Sequence, residues 1–214
     1  MLTLYGRATS SNVQAVLWAL AELGLEHTRI DCGESFGGLD TPEFLALNPH
    51  GRIPVLVDGD GLAIFESGAI LRYLGAVYGD GVIWPQDPVA RAAVDTWAEW
   101  AKVEVANRFT GPIFWRVVRT PAARWDRPAI RDAVDRFEHE LAAADRQLRD
   151  HAFLAGDALT LADIPFGHVL YRYFDIEIER REFGALRGYY DRLCGREAYR
   201  KSVIVSYEML RDSI

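Results

Sequence analysis

Cysteine is scarce in this chain. Only two occur among 214 residues, Cys32 and Cys194, far apart and without C-x-x-C spacing. A disulfide framework, a cysteine zinc site and a dithiol redox motif are therefore excluded. The five histidines are dispersed without metal-ligand spacing, so no metal is expected. No apolar run approaches the roughly 20 residues that cross a bilayer, which argues against a membrane partner. Positive charge is also short, since 24 Lys and Arg against 31 Asp and Glu leave a formal net charge of −7. Nucleic acid is a poor partner for such a chain. Met1-Leu2-Thr3-Leu4-Tyr5 carries neither the basic flank nor the long apolar core of a secretion signal, and the expected setting is a reducing cytoplasm. Repeats and low-complexity tracts are missing as well. What remains is ordinary globular composition, long enough for one large or two small domains with a proper core.

The N-terminal stretch sets the pattern. Leu2-Thr3-Leu4-Tyr5 reads as a short strand, broken at Gly6. From Val13 the apolar residues Val16, Leu17, Leu20 and Leu23 recur at helical intervals, with Gly24 as a natural stop. The helix begins among Ser10, Ser11 and Asn12, residue types that cap N-termini. The same hydroxyls and amide, beside free backbone N–H groups, suit an anion. Both readings stand at this point.

His27 to Asp31 predicts a second strand, and Cys32 to Asp40 a glycine-rich loop. Thr41-Pro42-Glu43 starts a short helix with a hydroxyl cap and proline in first position. Ile53 to Asp58 and Leu62 to Phe65 flank Gly59-Asp60-Gly61 and predict a hairpin. Glu66-Ser67-Gly68 opens a helix whose Ile70, Leu71, Leu74 and Val77 share a face. Residues 1–77 thus read β-α-β-α-β-β-α, a small α/β layer with a mixed sheet.

Residues 78–88 hold two glycines and two prolines and mark a linker. Residues 89–214 read as all-α. Val89 to Val118 is one long helix or two, with Gly111-Pro112 expected to bend or interrupt it. Pro128 to Arg149 is amphipathic through Ile130, Val134, Phe137, Leu141 and Leu148. Leu159-Thr160-Leu161-Ala162-Asp163-Ile164 is a helix start in which Thr160 is expected to cap the Asp163 amide while Asp163 reaches back. Helices through Phe183–Cys194 and about Glu197–Val203 complete the chain.

In this order, Ser10-Ser11-Asn12, Asn48-Pro49-His50-Gly51-Arg52-Ile53-Pro54-Val55-Leu56, Glu66-Ser67 and the Thr160–Asp163 box resemble the cytosolic glutathione S-transferases, in particular bacterial serine-type, theta- and nu-like members. The resemblance covers essentially the whole chain. It implies a thioredoxin-like first domain that binds glutathione as co-substrate, and a helical second domain contributing the electrophile site. It also implies a homodimer. The face of the fourth helix with Arg91 and Asp95 is the candidate contact.

The resemblance assigns roles residue by residue. Ser10 is the hydroxyl that donates to the glutathione sulfur, with Asn12 as second donor; Ser11 and Tyr5 are the rival donors. A serine hydroxyl is too weak an acid to act as a base here. It donates a hydrogen bond to the thiolate, which is the nucleophile. The proline of the Ile53-Pro54 pair is cis in the family, and Ile53 pairs its backbone with the cysteinyl unit as an added strand would. Ser67 holds the γ-glutamyl carboxylate and Glu66 helps place the neighbouring ammonium. Arg52 and, more weakly, His50 stand near the glycyl carboxylate. Phe109, Phe114, Trp115 and Arg116 are candidates to line the electrophile pocket, against the plain alternative that they are helix core.

Two functions compete. One is an enzyme joining the thiolate to a small electrophile. The other is a non-enzymatic binding or regulatory protein that kept the fold, since fold alone establishes no activity. An intact set at Ser10, Ile53-Pro54 and Glu66-Ser67 favours the enzyme. Cysteine is absent from positions 8–15, so thiol–disulfide exchange is disfavoured, and Cys32 reads as an ordinary thiol.

Overall fold

The computed structural model describes all 214 residues. Four strands, β1 (Leu2–Tyr5), β2 (His27–Ile30), β3 (Val55–Asp58) and β4 (Ala63–Phe65), form one sheet in the order β2-β1-β3-β4. β1 runs parallel to β2 and antiparallel to β3, so Leu4 stands opposite Arg29 on one side and Leu56 on the other. β3 and β4 make the expected hairpin, with Leu56 opposite Ile64. Successive strand side chains alternate between faces. Leu2 and Leu4 therefore join the core shared with helix α1 (Ser11–Glu22) and helix α3 (Ser67–Tyr78). Tyr5 turns to the other face and packs beside Phe44 of α2 (Pro42–Leu47), together with Cys32 and Val55.

Local signals act where the sequence places them. Gly24 takes φ +64 and the Leu25 amide donates to the Leu20 carbonyl at 2.9 Å, closing α1. The Thr41 hydroxyl accepts from the Phe44 amide at 3.3 Å. β3 begins at Val55, later than expected, because Pro54 has no N–H to give to the ladder. The Ile53-Pro54 bond ahead of it is cis. Val77 does not share the buried face of Ile70, Leu71 and Leu74; it is 54% exposed. The chain turns at Gly79 and lays Trp84 on Gly75, so close that a Cβ at Gly75 would stand 2.7 Å from it. Trp84 thereby completes the face in place of Val77.

After residues 79–87, α4 (Pro88–Trp100) starts under an Asp87 cap. Its continuation is a π-helical turn Ala101–Val105, the short α5 (Ala106–Phe109) and a second π-helical stretch Thr110–Arg119. Gly111-Pro112 lies inside that second stretch and does not interrupt the helix. The i→i+5 register accommodates the missing proline N–H there. Helix α6 (Arg127–Gln147) buries Ile130, Val134, Phe137 and Leu141 and packs against α8 (Gly184–Gly195), while α7 (Asp163–Asp175) and α9 (Glu197–Ser202) pack against α1 and α8.

The start of α7 differs in one bond from expectation. Thr160 Oγ1 accepts from the Ala162 amide at 3.3 Å rather than from Asp163. The Asp163 carboxylate does reach back, accepting from the Thr160 amide at 2.8 Å.

One core runs through both parts. Trp18 of α1 is fully buried, edge-on to Tyr199 of α9 at 4.8 Å. It also lies against Gly167 of α7, where a Cβ would come within 2.9 Å of the indole. Glu22 and Arg196 pair at 2.6 and 2.7 Å across the same junction. On α4, Arg91 donates to the Pro85 carbonyl at 2.7 Å and Asp95 accepts from Arg72 at 2.8 Å. The side chains expected at a dimer contact are thus engaged within the protomer.

Candidate active site

The site forms where β1 gives way to α1. Gly6 makes the turn with φ +144, and a Cβ there would meet Val13 at 2.5 Å and Ile53 at 3.3 Å. Only glycine lets the start of α1 and the Ile53-Pro54 segment converge this closely. Ser10 occupies the N-cap of α1 with extended backbone, and its carbonyl accepts from the Gln14 amide at 2.9 Å. Its hydroxyl makes no cap bond. Capping, the bland role for this serine, is not what its side chain does.

The turn before Ser10 is held from beneath. Gln14, fully buried, donates to the Ala8 carbonyl at 3.0 Å. Arg172 of α7 donates to the Thr9 carbonyl at 2.7 Å. Its guanidinium lies 4.5 Å from the centre of the Phe114 ring. Burial pulls Arg172 down to about 10, which still leaves it charged at neutral pH. Thr9 Oγ1 and Arg172 Nε are buried without a partner in the chain, so the floor of the turn is polar.

Asn12 and Ser67 meet at the N-termini of α1 and α3, the serine hydroxyl donating to Asn12 Oδ1 at 3.2 Å. Ser67 is buried, while Glu66 before it is exposed and sits at φ +67. A non-glycine residue in that region is held against local strain, which re-aims the chain into α3. Lys102 enters from the helical part and donates to Asn12 Oδ1 at 2.8 Å and to Ser67 Oγ at 2.7 Å. Burial lowers its pKa from the ordinary lysine value, and the charges of Glu66 and Glu99 oppose that fall.

The loop before Ile53 is braced by Asn48. Its amide donates to the Arg52 carbonyl at 2.7 Å and its oxygen accepts from the His50 amide at 3.0 Å. His50 and Arg52 themselves are exposed. The His50 ring lies edge-on to Phe65 at 5.6 Å.

The structure therefore brings together Ser10, Asn12, Ile53 and Ser67, with Ser11 and Glu66 beside them. It does not bring the expected aromatic lining. Phe109 and Phe114 are 1% and 0% exposed, packed on Phe137, Tyr173 and Tyr207. They are core residues. Trp115 and Arg116 are exposed on the other side of the same turns. Trp115 lies over Arg119, which pairs with Glu34 at 3.2 Å alongside Arg7. Tyr5 is edge-on to Phe44 at 6.2 Å, in the core role. Burial raises the thiol pKa of Cys32, and of Cys194, so neither is poised as a nucleophile. Among residues sequence reasoning missed, Gln14, Lys102 and Arg172 matter most. A polar Gln14 on the apolar face of α1 was the one available signal.

The chain matches the family model of the glutathione S-transferase N-terminal domain over residues 1–76 and that of the C-terminal domain over residues 109–197. Glutathione S-transferase GstB of Escherichia coli is 35% identical over 206 residues, covering 96% of this chain and 99% of that protein. Among solved structures, the theta class glutathione S-transferase of Xanthomonas axonopodis pv. citri with glutathione bound superposes with a TM-score of 0.90. It is 41% identical, covering 96% of this chain and 98% of the other. A delta-class glutathione transferase of Nilaparvata lugens superposes at 0.83 with 26% identity, over 94% and 92% of the two chains. The two family models together span the strand-turn-helix site and the helices beneath it, and the chain belongs to the glutathione S-transferase family.

Proposed function

We propose that this glutathione S-transferase activates the thiol of glutathione with the Ser10 hydroxyl and the N-terminus of α1, Asn12 acting as a second donor. The thiolate then attacks a small electrophile. The observation that carries the reading is the Ser10 hydroxyl, which stands at the helix N-cap and is spent on no cap bond. A free donor and the positive helix end act on the same anion. Ionisation sends the thiol proton to water, and the two donors lower its cost. Ile53, beside Gly6, would pair its backbone with the cysteinyl unit, and Ser67 with the first amides of α3 would hold the γ-glutamyl carboxylate. Arg52 and His50, exposed on the adjoining loop, are left to the glycyl carboxylate.

The test is the ultraviolet absorbance of bound glutathione thiolate, titrated with pH. The bound thiol is expected to ionise below the pH at which free glutathione does. Ser10→Ala should raise that pKa by about 1 unit or more and slow conjugation on the order of 100-fold. Ser11→Ala should do neither. An unshifted thiol in the wild type would remove the mechanism, and a shift lost only in Ser11→Ala would move the donor role next door.

Ser67→Ala is a separate expectation. Glutathione affinity should fall about 10-fold, equivalent to roughly 1.4 kcal/mol, as read by calorimetry. Unchanged affinity would reassign the γ-glutamyl end. The reading extends to a cytoplasmic homodimer, consistent with exposed Val77 and Val89 near the ends of α3 and α4. Sedimentation that returns the 24.1 kDa mass of one chain would refute the dimer.

A further inference from the structure

Lys102 sits in the π-helical turn Ala101–Val105, where the helix departs from α register. Such turns re-aim side chains and recur at functional sites. Here the turn delivers an ammonium from the helical domain onto two side chains of the first domain. Lys102 Nζ lies 2.8 Å from Asn12 Oδ1 and 2.7 Å from Ser67 Oγ, and the Ser67 hydroxyl in turn donates to Asn12 Oδ1.

The chemistry of these three groups is asymmetric. An ammonium only donates, so whatever faces it must accept. An asparagine side chain has an accepting end and a donating end, and rotation by half a turn exchanges them. With its oxygen held by Lys102 and Ser67, the NH2 end of Asn12 points away from both. Reversal would set the amide hydrogens of Asn12 against those of the ammonium in a half-buried place, with only Ser67 Oγ, which already accepts from Lys102, left to accept from either. The cation therefore fixes which end of Asn12 is left for a ligand.

We propose that Lys102 is a positioning residue for thiol activation: by holding the Asn12 oxygen it makes Asn12 present its NH2 group, and not its oxygen, to the glutathione sulfur. This rests on the reading of Asn12 as a thiolate donor. An oxygen turned toward the sulfur would repel the thiolate, whereas N–H groups stabilise it. The role differs from carboxylate binding, in which the ammonium would grip glutathione directly and change its affinity.

The experiment is the same thiolate titration on the full-length protein with glutathione, run on Lys102→Met, Lys102→Gln, Asn12→Ala and the Asn12→Ala/Lys102→Met double variant. Lys102→Met is expected to raise the bound thiol pKa by about 1 unit, as is Asn12→Ala. The double variant should go no further than Asn12→Ala alone, because both changes remove one donor. Lys102→Gln, which can still donate to the Asn12 oxygen without a charge, should recover at least half of the shift. It also carries the comparison if Lys102→Met fails to fold.

Each contrary result is distinct. Additive shifts in the double variant would mean that Lys102 acts by its own charge. Weaker glutathione binding with an unshifted thiol would make it a carboxylate ligand, and no change in either would make it a strap between domains; each overturns the proposal. An unshifted Asn12→Ala variant would remove Asn12 from the site reading and the proposal with it, while leaving Ser10 to its own variant.

Discussion

Asp163→Ala is expected to cost about 3–5 kcal/mol of stability, near the upper end for one substitution. The side chain is fully buried at the start of α7. Its oxygens accept from the Leu154 amide at 3.0 Å, the Thr160 amide at 2.8 Å and the Tyr189 hydroxyl at 3.0 Å. Truncation leaves these donors without partners in a place water does not reach. Each such donor costs about 1–3 kcal/mol. The gain from no longer burying a carboxyl offsets part of the sum. Asp163→Asn keeps one accepting oxygen but turns N–H toward a donor, so it should lose about half as much. Urea midpoints at constant m-value measure both. A loss for alanine below about 1 kcal/mol would show that the strand-like turn at Phe153–Gly156 and α8 do not depend on this carboxyl.

The bonds of this carboxyl from Leu154 and Tyr189 were not legible in the sequence, but its reach back to Thr160 was, because the two residues are three apart. The same holds for the Thr41 cap, the Gly24 stop and the hairpin about Gly59. Each is a local preference that the fold did not need to override. The failures have a common physical origin too. Phe109 and Phe114 stand five residues apart in a helical stretch, and such a spacing does not say whether they meet core or cavity; the packing of Phe137 and Tyr173 decides it. The π-helical turns have no sequence signature of their own, and they set the direction of Lys102. Arg172 reaches the Thr9 carbonyl across 163 positions of sequence and Lys102 reaches Asn12 across 90. Spacing rules describe neighbours on one element and are silent about such contacts.

A division of labour between the two parts follows from those long contacts. The residues proposed for glutathione, Ser10, Asn12, His50, Arg52, Ile53, Glu66 and Ser67, all lie in the first domain. The helical domain holds Ser10, Asn12 and Ser67 in place, through Arg172 under the turn and Lys102 above the amide. Helix α7 thus braces the turn before Ser10 through Arg172.

His168, on that helix, is the second large expectation. An ordinary histidine titrates near 6.5, but His168 is pushed down to about 3, first by burial and then by the charges of Lys102 and Arg172. Its Nδ1 lies 3.1 Å from the Ile164 carbonyl, which only accepts, so Nδ1 carries the proton of the neutral ring. The unfolded chain binds a proton at His168 below pH 6.5 and the folded chain refuses it. The stability this group allows is complete above pH 6.5 and is lost as pH falls toward 3. Asp163 works the other way. Burial raises its carboxyl to about 6, so the folded chain protonates before the unfolded one and acidification from pH 6 to 4 adds stability. The two opposed groups flatten the wild-type profile over that range. His168→Phe keeps the ring volume and removes one of the pair. Between pH 7 and pH 4 the variant is expected to gain about 3 kcal/mol on the wild type, from 1.36 kcal/mol per unit over roughly 2.5 units. Urea unfolding of both proteins across that range reads the difference directly. A difference independent of pH would mean that the ring takes up its proton in the fold at the same pH as in the unfolded chain, so that burial and the charges of Lys102 and Arg172 do not hold it neutral.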